Sequence, residues 1–152
     1  MRSIRNEKKL EGKKILLRLD LNVPLENRKI IDATRINKIL PTLNFLIQQE
    51  AKIIVLSHIG RPKGKIIEDL SLEPIIDDLK KKLNTDVRLI KKNIYEIKDK
   101  NFFNQFKERL LVLENIRFYT EEEKNDLKFA KHLSSFGDMY VNDAFSCSHR
   151  SH

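Results

Sequence analysis

Four short polar groups in the chain combine residue types that handle anions. They are Asp20 with Asn22, the run from Ser57 through His58 and Arg61 to Gly64, the set Glu114, Asn115 and Arg117, and Asn142 and Asp143 followed by His149 and Arg150. Arginine makes forked, charge-assisted bonds to phosphate and carboxylate. His58, Arg61, Arg117 and Arg150 are cationic or can become so, and together they describe a small-anion site. A single arginine is most simply a solvated loop charge. Asp20 and Asn22 taken alone are equally well explained as turn-forming or capping residues that bond nearby backbone. Several such groups converging on one place would favour the site.

Other candidate motifs do not hold. Gly60 to Lys65 faintly resembles a phosphate-cradling loop, but three residues separate its glycines instead of four, and Ile66 stands where a Ser or Thr should ligate Mg²⁺. His149 and His152 have a spacing compatible with a metal pair, yet no cysteine or second His pair completes a zinc site. Cys147 is more simply a plain thiol than a nucleophile paired with His149. The acidic run from Glu121 to Asp126 is most simply a solvated loop leading into a helix.

The elements that must position these groups follow from periodicity. Residues 15–19, 53–56, 87–90, 110–113 and 139–141 are short apolar runs, the length of strands buried on both faces. Between them, Ile36, Ile39, Leu40, Leu43, Leu46 and Ile47 make a helical stripe, with Pro41 marking a kink or the helix's true start. Leu72, Ile75, Ile76 and Leu79, extended by Leu83, make a second stripe. Ser71 is its candidate cap, and Pro74 falls in the tolerant first turn. Leu127, Ala130 and Leu133 make a third, entered through Asn125 and Asp126. Residues 91–107 fit a helix or two turns. Strands alternating with helices at this spacing predict an α/β fold, an open parallel sheet of Rossmann-like type with helices on both faces. All four polar groups then lie at the carboxyl ends of strands, the edge where such sheets bind ligands.

Composition agrees with that expectation. The 152 residues suffice for one domain or part of a larger one, with 40% hydrophobic and 34% charged residues. Thirty Lys+Arg against 22 Asp+Glu leave a net charge of +8, which favours an anionic partner. Tryptophan is absent and aromatic residues total 7%, a thin supply of stacking platforms for single-stranded nucleic acid. One cysteine excludes an intrachain disulfide. No apolar run approaches the roughly 20 residues of a membrane helix, and the first ten residues lack a signal-peptide apolar region. A cytoplasmic protein is expected. The last strand has no cover helix after it, so the chain is expected to be a truncation.

Several segments, in order and across nearly the whole chain, resemble phosphoglycerate kinase. They are RLDLNVP at 18–24, DATRI at 32–36, SHIGRPKG at 57–64, LENIRF at 113–118, EEKND at 122–126, VNDAF at 141–145 and SHRSH at 148–152. The resemblance covers the amino-terminal, substrate-binding domain of a two-domain kinase and implies that residues 1–152 are that domain, incomplete. It implies reversible phosphoryl transfer between 1,3-bisphosphoglycerate and ADP, giving 3-phosphoglycerate and ATP in glycolysis. Asp20 and Asn22 would bond the glycerate hydroxyl and neighbouring oxygens. His58, Arg61, Arg117 and Arg150 would hold the phosphate that is not transferred. Arg35 would be catalytic, reaching the substrate carboxyl end and balancing charge on the group in flight. The stretch from Ser146 to Ser148 departs slightly from relatives, which often carry Gly, Thr or Ala there.

The resemblance also implies a carboxy-terminal domain, absent here, that binds Mg-ADP or Mg-ATP. In-line transfer requires both substrates positioned together, so this chain alone is expected to be inactive. No nucleic-acid or membrane partner is expected, and relatives of this kind are usually monomeric. The rival reading is a catalytically dead remnant that binds a small anion or RNA through the same basic edge. A weaker third reading is a purely structural fragment.

Overall fold

A computed structural model describes residues 9–143. In chain order these form β1 (Lys14–Leu19), a small hairpin of β2 (Leu25–Glu26) and β3 (Lys29–Ile30), α1 (Thr34–Gln48), β4 (Lys52–Leu56), α2 (Glu73–Leu83), β5 (Val87–Ile90), β6 (Leu110–Leu113), α3 (Thr120–Glu123), α4 (Leu127–Ser134) and β7 (Met139–Asp143). Five strands make one sheet in the order β5-β6-β4-β1-β7, and every pairing in it is parallel. Each of the five runs read from the sequence is one of these strands. β2 and β3, which the sequence reading passes over, pair antiparallel through Asn27 and Arg28, both at positive φ.

Alternation along the strands builds two cores. Ile15, Leu17, Ile53, Val55, Leu110 and Val112 face α1 and α2, meeting Ile36, Ile39, Leu43, Leu46, Ile75 and Leu79. Leu16, Ile54, Leu56, Leu111 and Leu113 face the opposite way, against Ile94, Ile97, Phe103, Phe129, Leu133 and Phe136. Both sheet faces are therefore covered, which is why the strands read as continuous apolar runs. Residues 91–107 resolve as 3₁₀ turns at Ile94–Glu96 and Lys100–Gln105, the two-turn alternative.

One alternative left open by the sequence is excluded, and two local expectations are corrected. α1 begins at Thr34, and Pro41 lies inside it on an exposed position, so the proline does not mark the start. Just ahead of the helix, Asp32 accepts the Thr34 N–H at 2.9 Å and hydroxyl at 2.6 Å, bonds that hold its carboxyl below the usual carboxylate range. In α4 the buried pair is Phe129 and Leu133, whereas Leu127 is 84% exposed and Ala130 is also exposed. Phenylalanine carries much more apolar area than alanine, so the ring sets the inward face. The acidic run after Tyr119 is a turn of helix, α3, before its loop. Ser71 does serve α2, accepting the Glu73 N–H at 3.1 Å.

Candidate functional site

β4 and β6 are neighbours, yet the chain leaves β4 toward the α1–α2 face and leaves β6 toward the other. Between such strands the connecting loops diverge and a crevice opens at the carboxyl edge. The loops flanking it are fixed to each other. Ile116 N–H bonds Ser57 O at 2.9 Å, and the fully buried Asn115 donates from Nδ2 to Ile59 O and Leu70 O, each at 2.8 Å. Its Oδ1 accepts the Arg117 N–H at 3.1 Å. Gly64, at φ +75°, donates to Arg117 O at 3.3 Å and lies so near α3 that a Cβ there would sit 1.9 Å from Thr120 Oγ1. Glycine is required here both for its backbone angle and for the close approach.

Asp20, Asn22 and Arg35 form one group. Arg35 Nη1 donates to Asp20 Oδ1 and to Asn22 O, both at 3.2 Å. Asp20 Oδ1 also accepts the Asn22 N–H at 3.2 Å, while Asn22 Oδ1 accepts Gly60 N–H at 3.0 Å. The turn after β1 is further tied by Leu21 N–H to the buried Ser57 hydroxyl at 3.0 Å. These three side chains line a cleft of about 1150 Å³ that also takes in Thr34, Lys38 and Arg28. Arg35 is half exposed and its partner Asp20 is only 12% exposed, so the carboxylate anchors a guanidinium that reaches into the cleft.

Arg61 and Arg117 line a second pocket, of about 540 Å³, with Arg18, Lys63, Glu122 and Asn125. Arg117 Nε is buried and finds no hydrogen-bond acceptor among the described residues. His58 senses both groups. Burial first, then the positive charges of Arg117 and Arg18, push its pKa down to about 4, with Asp20 opposing and Arg35 assisting. At neutral pH this imidazole is therefore neutral, so of the residues read as cationic or able to become so it is one that needs acid to carry charge. It can still donate one ring N–H to an anion.

Asp20, Asn22 and Arg35 are thus brought into contact, Arg61 and Arg117 share a neighbouring pocket, and His58 lies within electrostatic reach of both. Arg150, with Cys147, His149 and His152, lies outside the described residues. Glu114 proves to be a helix cap: it accepts Leu72 N–H at 2.8 Å and the Ser71 hydroxyl at 2.7 Å at the start of α2. Asn142, on β7, pairs in register with Arg18 on β1. Sequence reasoning missed Arg18 and Glu122, which form an ion pair in the second pocket. The signal was present, because Arg18 is the one charge within the run 15–19. Among the described residues no group of three His, Cys, Asp or Glu side chains could hold a metal ion, and no helix is long and apolar enough to cross a membrane.

Comparison with known proteins agrees with this architecture. The phosphoglycerate kinase family profile matches residues 5–152. The phosphoglycerate kinase of Prochlorococcus marinus (strain MIT 9515) is 49% identical over 148 residues, covering 97% of this chain and 37% of that protein. That of the Wolbachia of Brugia malayi is 47% identical over 144 residues, covering 94% and 36%. Among solved structures, phosphoglycerate kinase from Coxiella burnetii superposes with a TM-score of 0.81 at 36% identity, covering 97% of this chain and 36% of that one. The enzyme from Pyrococcus horikoshii gives 0.79 at 31% identity, covering 99% and 38%. The chain thus spans little more than a third of the length of these relatives. The family profile spans nearly the whole chain and the sheet superposes on two members' structures, and the chain belongs to the phosphoglycerate kinase family.

Proposed function

We propose that this chain is the glycerate-binding part of a cytoplasmic glycolytic kinase. The reaction is reversible phosphoryl transfer between 1,3-bisphosphoglycerate and ADP, giving 3-phosphoglycerate and ATP. The observation that carries the reading is the division of the edge into two adjoining parts. One is a carboxylate-anchored guanidinium, Arg35 on Asp20, beside the amide of Asn22. The other is a cationic pocket holding Arg61 and Arg117. A glycerate bearing a phosphate at one end and a carboxyl group at the other has that polarity. Arg61, Arg117 and neutral His58 bind the phosphate that stays, and Arg150 joins them. Asp20 and Asn22 orient the hydroxyl and nearby oxygens. Arg35 meets charge that shifts at the carboxyl end during transfer.

The nucleotide enters this reading as a substrate, Mg-ADP or Mg-ATP, held by a carboxy-terminal domain outside these 152 residues. Titration calorimetry of this chain tests the binding half. 3-Phosphoglycerate binds and unphosphorylated glycerate does not, and Arg117→Ala weakens the binding by about tenfold or more, the scale of one charge-assisted bond. Binding to RNA that outcompetes 3-phosphoglycerate and falls steeply with salt would replace this reading with a nucleic-acid one. The chain alone, given 1,3-bisphosphoglycerate and Mg-ADP, produces no ATP.

A further inference from the structure

Glu122 is out of character with its surroundings. Of the described side chains lining the second pocket, Arg18, Arg61, Lys63 and Arg117 are cations and Asn125 is neutral, which leaves Glu122 as the single acid among them. It comes from an acidic run that should point to water, yet its side chain is only 12% exposed. Its neighbour Glu121 does turn elsewhere, accepting the hydroxyl of Tyr95. Glu122 bonds the guanidinium of Arg18, a residue on β1 that is itself 28% exposed and lies in electrostatic reach of Tyr140. Close by, Arg117 Nε is buried with no acceptor among the described residues. The fold has therefore placed a carboxylate where four cations converge, and has left donor capacity beside it.

Crowding four like charges, two of them on the partly buried Arg18 and Arg117, is unfavourable unless an anion compensates them. A carboxylate supplied by the chain can do so, but it also repels any second anion that enters. We propose that Glu122 is the resident counter-ion of the phosphate pocket, holding Arg18 until a phosphate takes that guanidinium over. The proposal rests on the reading of this pocket as a phosphate site. A phosphate dianion carries more charge and more acceptor oxygens than the carboxylate, so it can take over Arg18 and reach Arg117 Nε as well. The exchange involves no covalent step. Glu122 thereby trades affinity for stability: it weakens phosphate binding and steadies the protein when no phosphate is bound.

The test is Glu122→Gln, which preserves shape and removes the charge, with inorganic phosphate as the probe. The variant should bind phosphate on the order of tenfold more tightly. Its thermal midpoint in phosphate-free, low-salt buffer should fall, and added phosphate should restore it. Equal or weaker phosphate binding by Glu122→Gln overturns the proposal, since Glu122 would then serve only to orient Arg18. Arg117→Ala separates this failure from that of the pocket reading. If that variant binds phosphate as well as the unmodified chain, the pocket is not the phosphate site and the proposal falls with it. Should Glu122→Gln fail to fold, the unmodified chain still decides the matter. Its Arg18 guanidinium ¹⁵N resonances shift as phosphate is added, and resonances that stay in place overturn the exchange.

Discussion

Burial and the charges of Arg117 and Arg18 hold the His58 pKa near 4, below the ordinary value of 6.5. In the unfolded chain the same imidazole takes up its proton near 6.5, so between these values the unfolded state binds more protons and stability rises with pH. The contribution is complete above about 6.5 and is lost as pH falls toward about 4. Denaturation midpoints at pH 7, 5 and 4 should show this slope, and His58→Gln should flatten it. An unchanged slope in that variant would assign the loss to other groups. Bound 3-phosphoglycerate should raise the His58 pKa, which an NMR titration of its ring protons reads directly. On the proposed reading, Arg35 and Arg117 would separate chemistry from binding. In a full-length enzyme, Arg35→Ala should lower turnover by on the order of a hundredfold, because its interaction strengthens as charge moves. Arg117→Ala should chiefly raise KM, because it grips a phosphate that does not react. Steady-state kinetics showing the reverse pattern would exchange their roles.

The loops at the carboxyl edge are positioned as a unit by Asn115 and Gly64. Asn115 serves three backbone groups from a fully buried site, tying the segment after β4 to the segment after β6. Asn115→Ala strands two carbonyl groups, at a cost of about 2–3 kcal/mol. The urea midpoint should drop accordingly, and 3-phosphoglycerate affinity should weaken because His58 and Arg61 ride on the freed loop. Gly64→Ala acts through α3. Its new Cβ would strike Thr120, so α3 must shift and carry Glu122 away from Arg18. A Gly64→Ala, Thr120→Ala double variant removes the hydroxyl in the way and should recover part of the lost stability. Recovery of none would point to the backbone angle alone, since φ +75° remains unfavourable for alanine.

At the level of the whole molecule, both faces of the sheet are packed while the ligand edge is open and cationic, so binding should be felt as global stability. On the proposed reading, 3-phosphoglycerate at a hundred times its dissociation constant should stabilise the folded state by about 2.7 kcal/mol. Differential scanning calorimetry should show the midpoint rising by several degrees, and glycerate without the phosphate should produce no such rise. The net charge of +8 also makes a simple anion useful. Inorganic phosphate should stabilise through the second pocket, and Arg117→Ala should remove that effect while leaving general salt screening in place. Equal stabilisation of both proteins would mean that the response is only screening.

The five strands, α1, α2 and the edge that carries the polar groups were all legible in the sequence, because each depends on local pattern. Strands covered on both faces must be continuous apolar runs, and parallel connection puts every strand's exit at the same edge. The long, ordered segments from Arg18 to Pro24 and from Ser57 to Gly64 carried the family resemblance as well. What the sequence could not show depends on which distant residues meet. The inward face of α4 was decided by the cavity that Phe129 and Leu133 fill beside Phe103 and Phe136. Glu114 became a cap because the start of α2 arrives beside the end of β6. His58 became neutral because tertiary packing buried it near arginines from two other strand ends. Glu122, one of several acids in a polar run, was selected by meeting Arg18 across 104 residues of sequence. Burial and charge pairing are properties of the assembled neighbourhood, and no window of local sequence contains them.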